Sequence, residues 1–250
     1  MEAIPLRRLV RGDAGALHDR PIEPIARVEV LEIQRPTVVL GSTQSFDVVD
    51  VGRAEESGFA VVRRRSGGGV VILQPGDHVW IDVTVPRGHA LWLDDVERAT
   101  WWLGDMWRTV LRDVLQDVPK ETAKAAAGSL PSGGSPIEWA VYRDKLVATA
   151  PERAVCFASV GPGEVVRREM NAGVNQRSAG VSHKVVGISQ RRTKDAARFQ
   201  CTVFRAIDVA LYERLLRIDV AASLGDAVGV GDKLDDISRM AVERLVETIG

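Results

Sequence analysis

The chain has 250 residues, of which 45% are hydrophobic and 27% are charged, and these proportions are typical of a soluble globular protein with a substantial core. Its 33 basic and 34 acidic side chains leave a net charge of −1, so overall charge does not favour nucleic acid or an anionic membrane as a partner. Two cysteines, Cys156 and Cys201, are too few for a disulfide framework or a thiolate metal site. They suit a reducing compartment, and no stretch resembles a signal peptide or a membrane span. We therefore expect a cytoplasmic protein.

The first half of the chain predicts mostly strands. Short β-rich segments define these strands, and they cover residues 26–43 (as a pair of strands), 59–62, 70–73 and 78–85. Residues 46–56 are a candidate short helix. From Asp94 to Val118, apolar residues recur every three or four positions. This pattern predicts the clearest helix, with Asp94 as its N-terminal cap.

The second half of the chain begins with a polar loop and then returns to strands. Residues 119–136 and 168–183 are rich in small and polar side chains, which predicts two surface loops. Residues 184–192 and 199–204 predict two further strands. In the second of them, Cys201 is expected to pack as a small buried hydrophobe.

Two helices are predicted near the C-terminus. Asp208 is a candidate cap for a helix that runs to Ile218, and a last helix covers about residues 235–249. Strands and helices do not alternate regularly along the chain. The element order therefore predicts an α+β fold.

The most informative run lies between the β-rich segments 59–62 and 70–73. It contains three arginines, a serine and three consecutive glycines: Arg63, Arg64, Arg65, Ser66, Gly67, Gly68 and Gly69. Glycine lets a backbone approach a ligand closely, and successive exposed N–H groups bind anions. Guanidinium groups match phosphate and carboxylate oxygens. An anion-binding loop and a tight β-hairpin are both consistent with this run.

Lys184 is the second candidate for chemistry, because it opens an otherwise apolar strand. Alternation along the strand places Lys184, Val186, Ile188 and Gln190 on one face. A lysine in this position either extends its ammonium group outward to solvent or directs it into a site. In a site it would stabilise charge that develops on a carbonyl or phosphate oxygen, and Gly187 would let a ligand come close.

Cys156 lies in a short apolar run, residues 154–158. Two interpretations are open, an inert buried thiol and a nucleophile. His183 is the nearest candidate for a histidine partner along the chain.

Three segments match, in order and spacing, the signatures of one protein family. They are residues 64–71 (Arg-Arg-Ser-Gly-Gly-Gly-Val-Val) followed by Pro75-Gly76, residues 184–192 (Lys-Val-Val-Gly-Ile-Ser-Gln-Arg-Arg), and residues 36–41 with Gln44. Together they resemble the lipoate–protein ligases and their octanoyltransferase relatives. The resemblance covers about residues 26–218. It implies one catalytic domain over residues 1–250, with a C-terminal helical segment from about residue 219.

The implied fold is that of the catalytic domains of class II aminoacyl-tRNA synthetases and biotin ligases. This fold is α+β, with a mostly antiparallel mixed sheet and flanking helices. Members of the family attach a lipoyl or octanoyl group to a lysine of a carrier domain. The implied partners are the lipoyl carrier domains of 2-oxoacid dehydrogenases or the glycine cleavage protein.

The resemblance leaves three functions open. The leading one is a ligase that uses ATP and Mg to form an acyl-adenylate from lipoate or octanoate. The second is an octanoyltransferase that needs no ATP and passes the acyl group through a Cys156 thioester, because Cys156-Phe157 and residues 163–166 resemble the nucleophile region of one branch. The third is a non-catalytic module that binds the acyl group or the carrier, because residues 12–18 replace the family's Asn-Met-Ala-x-Asp-Glu-like run.

The family match also assigns the site residues. Lys184 would hold the acyl carbonyl and phosphate oxygens, and Cys156 is the second catalytic candidate. The expected acyl and nucleotide site comprises Arg64, Arg65, Ser66, Gly67, Gly68, Gly69, Val70, Gly187 and Ser189. No metal ligand is expected from the protein.

Overall fold

A computed structural model describes residues 6–115, 137–146, 148–169, 182–220, 224 and 227–250. Its strands are β1 Arg7–Gly12, β2 Arg27–Ile33, β3 Thr37–Leu40, β4 Ala60–Arg63, β5 Val71–Leu73, β6 His78–Pro86, β7 Ile137–Val141, β8 Val165–Glu169, β9 Ser182–Arg192 and β10 Ala196–Phe204. Its helices are α1 Ala14–Asp19, α2 Val51–Glu56, α3 Trp101–Leu115, α4 Ala150–Ala154, α5 Val209–Leu215 and α6 Leu234–Ile249.

The strands form two sheets of unequal size. The larger sheet has seven strands in the order β1-β2-β6-β10-β9-β8-β7, and all its neighbouring pairs are antiparallel except β1 with β2. The smaller sheet has the order β4-β3-β5, with β3 parallel to β4 and antiparallel to β5. The expected α+β fold, with a mostly antiparallel mixed sheet and flanking helices, is confirmed.

The expected pairing of the strands in residues 26–43 is wrong, and so is the hairpin interpretation of the glycine run. The strands predicted over residues 26–43 do not pair with each other, because β2 lies in the larger sheet and β3 lies in the smaller one. Strands β4 and β5, which flank the glycine run, are separated by β3. The glycine run is therefore a connection that crosses the end of β3. A hairpin turn does not explain its glycines.

The predicted helices are present, with different starts. Asp95, and not Asp94, accepts hydrogen bonds from the Glu97 and Arg98 N–H groups, and a 3₁₀ turn, Arg98–Thr100, then leads into α3 at Trp101. Its predicted end at Val118 and the predicted loop 119–136 lie outside the described residues. Residues 46–56 form a short 3₁₀ turn followed by α2.

The C-terminal helices agree closely with the sequence pattern. Asp208 caps α5, since its carboxylate accepts a hydrogen bond from the Leu211 N–H at 3.0 Å. Helix α6 begins at Leu234. The N-terminal elements β1 and α1 were not predicted. In the described part of the chain, no helix combines the length and apolar character needed to cross a membrane.

Helices α3 and α6 cover one face of the larger sheet. The residues of β6 that face them, Val79, Ile81, Val83 and Val85, belong to one apolar core with the buried face of α3. Cys201 lies fully buried in this core, as predicted, and burial raises its pKa to about 12. Trp80 belongs to a second core with the smaller sheet and α5, so both faces of β6 are buried.

The glycine run is held against the segment that carries Cys156. The Val70 N–H donates to the Ala154 carbonyl at 2.8 Å, and the Cys156 N–H donates to the Val70 carbonyl at 3.0 Å. A Cβ on Gly69 would lie 2.6–2.7 Å from the backbone of residues 154–156. This close approach of two backbones requires glycine at position 69.

We expect Gly69→Ala to lower the free energy of unfolding by about 1–3 kcal/mol, because its methyl group must push the two backbone segments apart. Gly67→Ala is the matched control, since a Cβ there has nothing within 4 Å, and it should stay within about 0.5 kcal/mol of the parent. Urea unfolding of both variants measures the difference. Equal stabilities would show that the approach at Gly69 is not a constraint.

Candidate functional site

A cavity of about 710 Å³ lies beside the glycine run, on the Trp80 side of the larger sheet. Most of the predicted site residues line it: Arg64, Gly67, Gly68, Gly69, Cys156, Lys184, Gly187 and Ser189. Arg65, Ser66 and Val70 lie near the cavity in sequence but are not part of its lining. The structure thus brings the two sequence signatures and Cys156 to one place.

The ammonium group of Lys184 is buried at the cavity wall, with 4% of the residue exposed. Its Nζ lies 2.7 Å from Glu164 Oε1. It also donates hydrogen bonds to the carbonyl oxygens of Cys156 at 2.7 Å and Ser159 at 3.3 Å. The interpretation in which this lysine extends to solvent is therefore wrong.

A β-bulge turns Lys184 toward the cavity. In the pairing of β8 with β9, Val165 lies opposite Val186 but Val166 lies opposite Lys184, so Val185 is an extra residue. A bulge of this kind reverses the alternation of side chains along the strand. Val186 accordingly packs in the helix-covered core, although the sequence pattern placed it on the same face as Lys184.

The thiol of Cys156 lies beside this ammonium group. Its Sγ lies 3.5 Å from Lys184 Nζ, and the Phe157 ring centroid lies 5.1 Å from the same atom. Burial lowers the pKa of Lys184, but its electrostatic interactions and hydrogen bonds with Cys156 and Glu164 raise the pKa by more, and the net shift is upward. Lys184 therefore acts as a fixed cation and not as a base. His183 is not part of the cavity lining.

Glu164 lies in the segment 163–166, which the resemblance associated with the nucleophile region, but the sequence analysis gave this residue no role of its own. It is buried, and besides Lys184 its Oε1 accepts a hydrogen bond from the Ile188 N–H at 3.1 Å. Its Oε2 accepts one from the Gly161 N–H at 2.7 Å. These backbone donors fix the carboxylate, so Glu164 holds Lys184 in one position. The signal was a single acidic residue just before β8, and spacing alone did not connect it to the lysine.

The arginines of the glycine run do not form an open anion clamp. Arg64 is buried, and its guanidinium donates to the carbonyl oxygens of Gly67 and Gly69. Its main effect is therefore to stabilise the loop. Arg65 is exposed and forms an ion pair with Asp19 at 2.6 Å.

Trp80 and His18 line another part of the cavity. Their ring centroids lie 4.4 Å apart, and the Trp80 indole N–H donates to Asp82 Oδ1 at 2.8 Å. Gln200 also donates to Asp82, at 3.2 Å. The alternation of β6 could have placed Trp80 and Asp82 on one face, but nothing in the sequence placed His18 beside them.

Asp82 anchors this part of the wall. It is fully buried, and desolvation raises its pKa to about 6 against the opposing effect of Arg198 and Arg20. The Arg20 guanidinium lies 3.3 Å and the Arg198 guanidinium 3.6 Å from Asp82 Oδ2. A buried carboxylate with this many partners fixes the orientation of the Trp80 indole.

Comparison with known proteins supports the resemblance. Residues 16–118 match the family model of the lipoyl protein ligase A/B catalytic domain. No curated protein matches the sequence significantly. The expected similarity to the lipoate–protein ligase family is confirmed over the matched part of the chain, which contains most of α1, the glycine run and α3.

Solved structures share the fold. The bi-partite lipoate protein ligase of Thermoplasma acidophilum, solved with its E2 lipoyl domain, is 12% identical, and the match covers 97% of this chain and 82% of that one with a TM-score of 0.55. The protein Ta0514 of T. acidophilum with bound lipoic acid is 13% identical over 95% and 77%, with a TM-score of 0.55. A lipoate-protein ligase A bound with ATP is 13% identical over 97% and 84%, with a TM-score of 0.58. At these identities the likeness establishes the fold.

The buried His18 and the half-buried His78 predict how stability depends on pH. Burial, with Arg64 nearby, lowers the pKa of His18 to about 3 from 6.5, and burial lowers that of His78 to about 4. Below pH 6.5 the unfolded chain therefore binds protons that the folded chain does not, so stability falls as the pH falls through this range. Each histidine contributes a loss of about 1.4 kcal/mol per pH unit.

We expect His18→Phe to remove one such contribution, which amounts to about 2 kcal/mol between pH 6.5 and pH 5. The phenyl ring keeps an aromatic contact with Trp80. Urea unfolding at several pH values measures the slope, and His78→Phe should flatten it to a similar extent. A parent-like slope in the His18 variant would contradict a buried neutral imidazole.

Proposed function

We propose that this protein transfers a lipoyl or octanoyl group to the lysine of a lipoyl carrier domain through a thioester on Cys156. The observation that carries the proposal is the distance of 3.5 Å between Cys156 Sγ and Lys184 Nζ at the wall of the cavity. A cation at this distance stabilises the negative charge of a thiolate. The family resemblance instead favoured a reaction through an acyl-adenylate. That reaction stays a prediction.

The proposed reaction has two steps. In the first, the Cys156 sulfur attacks the carbonyl carbon of an acyl thioester on a donor carrier protein, and the donor leaves as a thiol after taking the Cys156 proton. In the second, the amine of the acceptor lysine attacks the new thioester, an amide bond forms, and Cys156 leaves as a thiol with the proton that the amine loses. The protons balance, and no oxidant, reductant or nucleotide is consumed.

Lys184 stabilises charge in both steps. Its ammonium group stays protonated and lies beside the sulfur that is alternately attacking and leaving. The longer of its two hydrogen bonds to backbone carbonyl oxygens, the one to Ser159 at 3.3 Å, is the one most easily exchanged for the oxyanion of a tetrahedral intermediate. Glu164 keeps the ammonium group in place and favours its protonated form.

The rest of the cavity suits an acyl chain. Apolar side chains contribute much of its wall, including Val71, Leu73, Phe157 and Ile188. The glycines at its rim leave room for a chain to pass close to the backbone. A medium-length acyl group can therefore bury its carbons there.

ATP fits the described residues poorly. Among the described cations of the cavity wall, Arg64 is bonded to loop carbonyls, Lys184 is bonded to Glu164, and Arg153 is bonded to the Ala148 carbonyl. A triphosphate would have to displace several of these contacts. We therefore derive no step through ATP or Mg.

The acceptor is proposed to be a lipoyl carrier domain of a 2-oxoacid dehydrogenase or of the glycine cleavage protein. One structure with this fold was solved with an E2 lipoyl domain, which supports a partner of this kind. A free thiol nucleophile requires a reducing compartment. This requirement supports the cytoplasm as the place of action.

Intact-mass measurements test the thioester. After incubation with an octanoylated acyl carrier and no ATP, we expect the protein to gain the mass of one octanoyl group. Cys156→Ser should lose this adduct. Cys201→Ser is the matched control and should keep it, because Cys201 is fully buried away from the cavity and burial raises its pKa.

The acceptor assay separates the alternatives. An apo lipoyl domain is incubated with the protein and octanoyl carrier, or with lipoate or octanoate with and without Mg-ATP. Acylation that requires ATP and survives Cys156→Ser would overturn the thioester and leave the ligase. Absence of acylation in every arm would leave a non-catalytic binding module.

A paired substitution tests the cation. Lys184→Met alone would leave the buried Glu164 carboxylate without its partner and destabilise the fold by about 3–5 kcal/mol, so Lys184→Met is combined with Glu164→Gln. We expect this double variant to fold and to lose at least about a hundredfold in acyl transfer rate. Lys194→Met, at an exposed position, is the control. A double variant that is folded and transfers at the parent rate would remove Lys184 from the mechanism.

A further inference from the structure

The oxygen atoms around the Lys184 side chain match the donors of its protonated form. An ammonium group has three N–H donors and no acceptor. Its oxygen partners are Glu164 Oε1 at 2.7 Å and the backbone carbonyl oxygens of Cys156 at 2.7 Å and Ser159 at 3.3 Å. All three oxygens are acceptors. They therefore fit an ammonium ion and not the lone pair of a neutral amine.

The nucleophile of the proposed reaction lies within reach of the same nitrogen. Cys156 Sγ is 3.5 Å from Lys184 Nζ, and the carbonyl carbon of an acyl-enzyme is bonded directly to that sulfur. Groups held about 3–3.5 Å apart in a fixed orientation react with effective concentrations of about 10⁵ M or more. A Lys184 side chain that lost its proton would therefore compete with the lysine of a carrier domain for the acyl group.

Such an attack would end the catalytic cycle. The Lys184 nitrogen forms a bond to the acyl carbon, the bond between this carbon and the Cys156 sulfur breaks, and the proton that the nitrogen loses leaves Cys156 as a thiol. The product is an amide on Lys184, and an amide is far less reactive toward amines than a thioester. Productive transfer therefore requires Lys184 to stay protonated while Cys156 carries the acyl group.

Glu164 is the acidic side chain that remains beside Lys184 in the acyl-enzyme. In the free protein, burial lowers the pKa of Lys184, and interactions with Cys156 and Glu164 raise it by more. A thioester sulfur cannot ionise, so acylation removes the electrostatic contribution of Cys156. The Glu164 carboxylate must then offset the burial of the ammonium group.

The position of Glu164 does not depend on the thiol. Its side chain is buried, with Oε2 accepting a hydrogen bond from the Gly161 N–H at 2.7 Å and Oε1 accepting one from the Ile188 N–H at 3.1 Å. Both donors are backbone groups outside the Cys156 segment. Acylation of Cys156 therefore leaves the carboxylate beside the ammonium group.

We propose that Glu164 prevents the acyl group from passing from Cys156 to Lys184, because its carboxylate holds Lys184 as an ammonium ion while the thioester exists. The proposal rests on the proposed thioester mechanism. It adds an internal modification site, Lys184, and the residue that keeps this site unmodified. Glu164 is a positioning residue, since it acts on the reaction through Lys184.

Glu164→Gln tests the proposal, because it removes the charge and keeps the size of the side chain. Parent and variant are incubated with an octanoylated acyl carrier and no ATP, and their intact masses are measured before and after hydroxylamine, which cleaves thioesters and leaves amides. We expect hydroxylamine to remove the parent adduct. In the variant, the fraction of adduct that resists hydroxylamine should be at least about tenfold larger, and peptide mapping should place it on Lys184.

Two controls separate the amine from the loss of a carboxylate. The double variant Glu164→Gln with Lys184→Met has no amine at position 184, so it should form no hydroxylamine-resistant adduct there. Glu32→Gln removes an exposed carboxylate that pairs with Arg11 at 2.6 Å and is not part of the cavity lining. Its adduct should be removed by hydroxylamine as completely as that of the parent.

The pH dependence is a readout that a merely structural role of Glu164 would not change. The amide requires the neutral amine, so its rate of formation should rise about tenfold per pH unit below the pKa of Lys184. Because Glu164 raises this pKa, Glu164→Gln should reach a given rate at a lower pH than the parent. The parent series needs no substitution. A parent acyl-enzyme that forms no amide on Lys184 from about pH 7 to about pH 10 overturns the proposal.

The outcomes distinguish this proposal from the proposed function. A folded Glu164→Gln protein whose adduct is removed completely by hydroxylamine overturns the role of Glu164 and leaves the thioester mechanism standing. A resistant adduct on a lysine other than Lys184 has the same meaning. A parent that forms no hydroxylamine-sensitive adduct on Cys156 overturns the thioester mechanism, and the role of Glu164 with it.

Discussion

The ion pair of Lys184 with Glu164 is the interaction on which the site depends. A buried ammonium group is stable only when its charge is compensated and its donors are satisfied, and here a carboxylate and two backbone carbonyls meet both conditions. Because one of those carbonyls belongs to Cys156, the same bonds hold the thiol beside the charge. The same contacts therefore fix the positions of both the Cys156 thiol and the Lys184 ammonium group.

The glycine run and the Cys156 segment are joined by backbone contacts that depend on small side chains. A side chain at Gly41 would overlap the Gly68 carbonyl, and one at Gly69 would overlap residues 154–156. Glycine in this run therefore serves packing between protein segments as well as access for a ligand. Packing explains the glycine at position 69, and the positive φ of 97° at Gly68 favours glycine there.

Element types could be predicted from the sequence because they depend on local periodicity, and α6 and the cap at Asp208 are examples. Strand partners could not be predicted. The sequences of β3 and β4 carry no local signal that would distinguish a strand in a hairpin from a strand that pairs in parallel in a second sheet. The glycine loop, Cys156 and Lys184 were found from residue types and family signatures. Glu164 and His18 were missed because their roles arise only from contacts between distant segments.

The bulge at Val185 makes the length of β9 as important as its composition. Side chains alternate strictly between the two faces of a regular strand. Removing Val185 would therefore move each β9 side chain that precedes it to the opposite face of the sheet. The Lys184 side chain would then point into the apolar layer under α3, and a valine would face the cavity in its place. A related chain whose β9 is one residue shorter at this point cannot present a lysine to the cavity from the same position. This holds even when its aligned sequence is otherwise similar.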